Sequence, residues 1–432
     1  MERTDQKAPG GQAAALAIIG LLFFVFGFVT WLNGSLIPFL KVVCQLTTFE
    51  ALLVTFAFYI AYAVMALPMA RVLARTGYRR GMALGLLVMA GGALLHIPAA
   101  LTQRYPLFLA GLFTLGTGLT VLQAASNPYI VLLGPVESAA RRISLMGIVN
   151  KGAGVVVPLA FTALVLGKLG DPAALAQSAT DAVARQALAQ RLVVPYAVMA
   201  VVLLGLVLLV ARAPLPDVRA DEPENAPAGA GILAYPQLWL GAIALFAYVG
   251  VEVLAGDTIG LFGAALGVAG FARLTAYTMS AMVLGYVLGI VLIPRLVPQR
   301  TALIACGLGG LALTLAVLLT NPASTALSAL LWGWAGVPVL PDPVACLALL
   351  GLANALVWPT IWPLAIDGLG RHTARGSAIL IMAITGGALL PLAYGWLARS
   401  GAQQAYWLAL PCYGLILAYA LAWPALRRAA PA

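Results

Sequence analysis

Charge is what this chain has least of. Only 9% of its 432 residues are Asp, Glu, Lys or Arg, while 62% are hydrophobic; a water-soluble domain carries roughly 25% charged residues. That shortage excludes a conventional water-exposed surface. Histidine is almost absent: His96 lies in an apolar stretch and His372 in a basic loop. They are too few and too far apart for a metal centre or histidine-based catalysis, and both are expected to be structural. The four cysteines (Cys44, Cys306, Cys346, Cys412) include no Cys-x-x-Cys pair, which argues against a disulfide framework and a zinc site. No aspartate-rich motif or large polar domain is present, and only Asp367 with His372 comes near an acid/base cluster. An integral-membrane lipid or glycosyl transferase is therefore disfavoured.

What the chain does have is apolar runs of about 20 residues, the length a helix needs to cross a hydrocarbon core of about 30 Å. Cutting at polar and Gly/Pro breaks predicts spans near 13–33, 49–70, 81–101, 106–132, 144–167, 193–211, 236–256, 273–294, 300–320, 344–366, 377–398 and 405–426. The first lacks a small-residue cleavage site and reads as a retained span rather than a signal peptide. The expected class is an all-α integral membrane protein of twelve transmembrane helices in two six-helix bundles. Residues 1–12 form a tail, 13–211 the first bundle, 212–235 a linker rich in Pro, Ala and acids, and 236–432 the second bundle with a short tail.

The net charge of +10 sits in short breaks between apolar runs, which encodes topology and not nucleic-acid binding. With both termini inside, Arg71, Arg75, Arg79, Arg80, Arg141, Arg142, Arg295, Arg300, Arg427 and Arg428 fall on the cytoplasmic side. The outer side keeps few basic residues, among them Lys41, Arg104 and Lys168. The outer loop 167–191 contains a helix-compatible stretch expected to lie at the surface. A shift of 233 residues superposes Arg142, Ser144, Gly154, Pro158 and Leu159 on Arg375, Ser377, Gly387, Pro391 and Leu392. This equates spans four and five with ten and eleven, as parallel repeats do.

A charge at mid-bilayer costs about 2.5–3.5 kcal/mol on insertion scales, so the few retained there face a cavity or a partner. Lys151 in span five and Glu252 in span seven stand out, with Asp257 near the end of span seven. Paired, Lys151 and Glu252 offset each other's desolvation. They are either a static lock between the halves or an ion-coupling pair whose carboxylate carries a proton. Asp257 is five residues on, about 140° round a helix, so it shares a face with Glu252 only if Gly256 breaks the helix; otherwise it reads as a boundary residue.

Thr117, Thr120, Gln123 and Asn127 form a polar stripe on span four, and Pro128 frees the carbonyl of Ala124. Asn354, Trp358 and Trp362 recur at i, i+4 and i+8 on span ten. Indole faces pack on the C–H face of a pyranose and amides exchange hydrogen bonds with its hydroxyls. Trp31 and Asn33 on span one and Asn150 on span five add to the set. The competing reading is helix packing for the amides and interfacial anchoring for the tryptophans.

Arg75-Thr76-Gly77-Tyr78-Arg79-Arg80 is similar to the major facilitator loop motif, with Ala74 where an acid is usual. The runs FFVFGFVTWLNGSLIPFLK (23–41), LQAASNPYI (122–130) and NALVWPTIWPLAIDGLGRHTARGSAILIMAITGGALLP (354–391) resemble the fucose:proton symporter family of the major facilitator superfamily. The resemblance is closer to its glucose/galactose permease branch, which also holds N-acetylglucosamine transporters. It implies two pseudo-symmetric bundles, alternating access and import of a monosaccharide with a cation into a bacterial cytoplasm. Asn33, Gln123, Asn127 and Asn150 match motif positions and are carried over as sugar contacts. Two family carboxylates are missing, because Gly34 and Gln123 stand in their places, so coupling falls to Glu252, to sodium, or to no ion.

The expectation is a sugar symporter of the inner membrane, coupled to H+ or else Na+. No cofactor, metal or nucleic acid is expected. Its partners would be the bilayer and a monosaccharide (glucose or galactose first, N-acetylglucosamine next, fucose third), and it would act as a monomer. A uniporter, a sugar sensor and a multi-pass enzyme are the alternatives.

Overall fold

The structure, a computed structural model, describes residues 9–132, 139–166, 180–213, 231–293 and 296–429. Most of the expected tail (1–12) and linker (212–235), residues 167–179 of the outer loop, and Arg295 lie outside the described residues, as do the side chains of Pro128 and Arg141.

Among the described residues, twelve helices are long and apolar enough to cross a membrane: α1 (Ala15–Val43), α2 (Thr48–Met69), α3 (Arg75–Thr102), α4 (Tyr105–Asn127), α5 (Arg142–Leu166), α6 (Ala182–Arg212), α7 (Pro236–Ala265), α8 (Phe271–Leu292), α9 (Gln299–Leu319), α10 (Asp342–Ile366), α11 (Arg375–Leu397) and α12 (Gln404–Ala429). Each overlaps one of the predicted spans. Helices are the outcome because a segment in lipid must satisfy its own backbone hydrogen bonds. The ends carry local signals. Thr47 and Glu50 form a reciprocal capping box at the start of α2. Gly77 takes φ 74° at the join between α2 and α3, a left-handed conformation that L side chains avoid. The first stretch of α6, Ala182–Gln190, is capped by Asp181, whose carboxylate accepts the Val183 N–H.

The internal repeat is visible in the packing. A Cβ on Gly154 of α5 would lie 2.7 Å from Met279 of α8 and 2.7 Å from Trp31 of α1. Its repeat mate Gly387 of α11 is hemmed in by Tyr59 of α2 and Val253 of α7. Under the repeat, α5, α8 and α1 correspond to α11, α2 and α7, so both glycines allow the same close approach between the bundles.

The far face, opposite the start of α1 and the end of α12, is closed. There Ser35 Oγ on α1 donates to the Ala272 carbonyl at 2.9 Å, Thr55 Oγ1 on α2 donates to Asp257 Oδ2 on α7 at 2.8 Å, and Arg399 lies over the ring of Phe49. Gly34 is where α1 meets α7 and α8. A Cβ on it would sit 2.4 Å from Thr275 Oγ1 and 2.9 Å from the Gly256 carbonyl, so no carboxylate fits at this position in the closed arrangement. Gly34→Ala is expected to disfavour far-face closure by about 1–3 kcal/mol through overpacking. Spin labels on Arg104→Cys and Ser400→Cys, with the four native cysteines replaced by alanine, would then report more separated outer ends. An unchanged distance distribution would contradict this packing.

Candidate functional site

Between the two bundles lies a cavity of about 910 Å³, at the upper end of the roughly 300–1,000 Å³ usual for small-molecule sites. It is walled by α1, α2, α4 and α5 from one half and α7, α8, α10 and α11 from the other, and reaches Ile293, Gln299, Ile366 and Thr373 at the helix ends on the face where α1 begins and α12 ends. With the far face sealed, this is the arrangement of a carrier open to one side.

At its deep end Lys151 Nζ and Glu252 Oε1 form a buried ion pair across the two halves. The Lys151 ammonium also stands 4.5 Å from the Trp31 ring centroid, so the cation has a carboxylate on one side and a π face on another. Each charge offsets the other's desolvation, and each belongs to a different bundle. Among the described residues the other ion pair, Arg427 with Asp367, lies near the helix ends and is partly exposed.

Gln123, Asn127, Asn150, Trp358 and Trp362 all line the cavity. Trp358 and Trp362 stack with ring centroids 5.2 Å apart at 28°, presenting a double indole wall opposite the amides of α4 and α5. Asn150 Nδ2 makes a long bond to the Phe23 carbonyl at 3.4 Å.

The remaining candidates are not cavity residues in this conformation. Asn354 was expected on the face of Trp358 and Trp362, but regular helix ends at Ala355 and resumes at Val357, with Leu356 at φ −95° and ψ 0°. The interruption turns Asn354 toward α12, where its Oδ1 accepts from the Tyr413 hydroxyl at 2.8 Å. Asn33 is 1% exposed, with its Nδ2 unpartnered beside the tight Gly34 crossing. It lies in the closed far-face layer and does not face the cavity. Thr120 spends its hydroxyl on the Gly116 carbonyl at 2.8 Å, so only the lower half of the α4 stripe reaches the cavity.

Asp257 also departs from its boundary reading. α7 runs unbroken from Pro236 to Ala265, so Gly256 does not bring the two carboxylates to one face. Asp257 is fully buried and bonded to Thr55, away from the cavity.

Sequence reasoning missed the tyrosines. Tyr59, Tyr62, Tyr248 and Tyr286 all line the cavity, and Tyr248 precedes Glu252 by one turn. Their i, i+3 and i, i+4 spacing was available, yet a tyrosine that faces a cavity and one that packs against a helix have the same spacing. His96 is structural as expected: its Nδ1 pairs with the Gly92 carbonyl at 2.9 Å, and its ring stacks on Tyr196 at 4.0 Å.

The family model described as the Major Facilitator Superfamily matches residues 19–391. A glucose/galactose transporter of Brucella abortus biovar 1 (strain 9-941) is 35% identical over 425 residues, covering 97% of this chain and 96% of that one. A putative glucose/galactose transporter of Helicobacter pylori (strain ATCC 700392 / 26695) is 33% identical over 418 residues, with 94% and 96% covered. The L-fucose-proton symporter of Escherichia coli (strain K12) is 28% identical over 432 residues, with 94% and 92% covered. Among solved structures, a major facilitator transporter, FucP, in the outward conformation superposes with a TM-score of 0.71 at 24% identity, over 98% of this chain and 100% of that one.

Proposed function

This chain belongs to the Major Facilitator Superfamily, and from that premise we propose that it imports a monosaccharide with a cation by alternating access, with glucose or galactose as the first candidates. The observation that carries the reading is the Lys151–Glu252 pair, which joins the two bundles at the floor of a cavity lined by amides and stacked indoles. The names of the relatives, glucose/galactose transporters and L-fucose-proton symporters, support glucose or galactose as the sugar; N-acetylglucosamine comes next on the resemblance of the sequence alone, and fucose third.

In this mechanism the sugar binds between Gln123, Asn127 and Asn150 on one side and Trp358 and Trp362 on the other. Residues 13–211 and 236–432 rock as two bodies joined by 212–235. The Glu252 carboxylate can be neutralised by the Lys151 ammonium or by a proton. When rocking draws the two helices apart, a proton replaces the lysine, so sugar movement and proton movement become one event. Sodium is the alternative coupling ion. The site performs no bond chemistry on the sugar and uses no cofactor. The cavity faces the cytoplasm in this conformation, the protein spans a bacterial inner membrane with both termini inside, and it works as a monomer.

Binding to purified protein tests the site. Trp358→Ala and Gln123→Ala are each expected to weaken sugar affinity about tenfold, equivalent to about 1.4 kcal/mol, through lost ring contact and a lost hydrogen bond respectively. Titration calorimetry with glucose and galactose reads this directly, and unchanged affinity in both variants would remove these residues from the site.

A further inference from the structure

The mechanism above leaves one buried carboxyl unused. Asp257 has 0% exposure, yet it sits on α7 at the contact that closes the far face. Its Oδ2 accepts one hydrogen bond, from Thr55 Oγ1 of the opposite bundle at 2.8 Å, and its Oδ1 has no partner. It makes no ion pair among the described residues.

The titratable groups of the neighbouring helices do not supply a counter-charge. Tyr59 lies on α2, one turn beyond Thr55. Glu252 lies about a turn and a half back on α7 and is bound to Lys151. Tyr406 on α12 shares a hydrogen bond with Thr258, and Tyr394 on α11 packs against Tyr406. On α1, Lys41 is bonded to Thr48, and Arg273 lies at the first turn of α8. A bare carboxylate sealed in such a place bears an uncompensated desolvation cost; a protonated one bears much less and needs only the bond it already has.

We propose that Asp257 is a proton-binding site of the outer closure: the far face closes only when this carboxyl carries a proton taken from water on that side. The Thr55 bond then joins α2 to a neutral group. Tyr59, one turn beyond Thr55 on α2, lines the cavity. Lost to the cavity side, the proton leaves behind a carboxylate that the closed layer cannot hold, and the far face reopens.

This inference rests on the transport reading above, because it gives that cycle its outer proton step, but its test uses no sugar. Spin-label distances between Arg104→Cys and Ser400→Cys, again with the native cysteines replaced, are measured in protein without substrate from about pH 5 to about pH 9, a range wide enough to titrate a perturbed carboxyl. The ratio of separated to closed outer ends is expected to rise with pH, by up to about tenfold per pH unit for one linked proton. Asp257→Asn, which imitates the neutral carboxyl and keeps an acceptor for Thr55, is expected to remain closed throughout. Asp257→Glu, which keeps a titratable group, is expected to keep a pH response. The same pH response in Asp257→Asn as in the parent, or no response in the parent, would overturn the proposal. Failure of the sugar reading would appear separately, as a wild-type protein that binds none of the sugars while the distance response persists.

Discussion

Glu252→Gln is expected to abolish accumulation of sugar above equilibrium under a proton gradient, while exchange of labelled for unlabelled sugar between two loaded sides continues. Exchange requires only that the loaded carrier reorient. Accumulation requires that the carrier bind and release the ion, and glutamine offers the polar contacts of a neutral carboxyl with no proton to release. The pair bridges the two bundles and is nearly buried, with 10% and 7% side-chain exposure, so its charge state acts on the relative positions of the halves as well as on local hydrogen bonding. Proteoliposomes given an imposed proton gradient and then a counterflow protocol separate the two activities. Wild-type accumulation in the glutamine variant would end the assignment of Glu252 to coupling.

Lys151→Met is expected to be more damaging to stability than the double variant Lys151→Met/Glu252→Gln. Removing the cation alone leaves a buried carboxylate without its counter-charge, and breaking one side of a buried pair costs about 3–5 kcal/mol. Neutralising both partners removes the pair's attraction and the desolvation penalty together, so the double variant is expected to recover most of that loss. Thermal unfolding followed by loss of helical circular dichroism compares the proteins directly. A single variant as stable as the wild type would show that the pair contributes nothing to holding the bundles together. The comparison also separates a static lock from a coupling group: a lock predicts loss of stability alone, whereas a coupling pair predicts that the recovered double variant still fails to accumulate sugar.

Much of the fold was legible because lipid imposes a simple rule on sequence. A span must be apolar for about 20 residues and must satisfy its own backbone, so the breaks at 71–80 and 295–299 and the repeat that relates Gly154 to Gly387 could be read without coordinates. Lys151 and Glu252 were legible for the complementary reason, since charges retained in apolar helices need partners, and the structure brings them together.

What was not legible depended on local departures from ideal helix. Asn354 was placed with Trp358 and Trp362 by regular periodicity, and the interruption at Leu356 broke that phase. Asn33 was placed by a motif match and Asp257 by its helical angle and its nearness to the span end, whereas their positions are set by which face of the molecule is closed, a property of the conformation. Gly34 looked like a missing carboxylate and is a contact point, which only the positions of Thr275 and the Gly256 carbonyl reveal. The cavity tyrosines had no pattern to distinguish them from core tyrosines such as Tyr394 and Tyr413, both buried.

The most direct measurement is uptake of radiolabelled glucose, galactose, N-acetylglucosamine and fucose into proteoliposomes holding the purified protein, under a proton gradient, a sodium gradient or neither. Glucose or galactose should accumulate above equilibrium when the proton gradient is imposed and merely equilibrate when it is absent. Equilibration of sugar under every gradient would contradict ion coupling, and no uptake of any of the four would contradict the monosaccharide site itself.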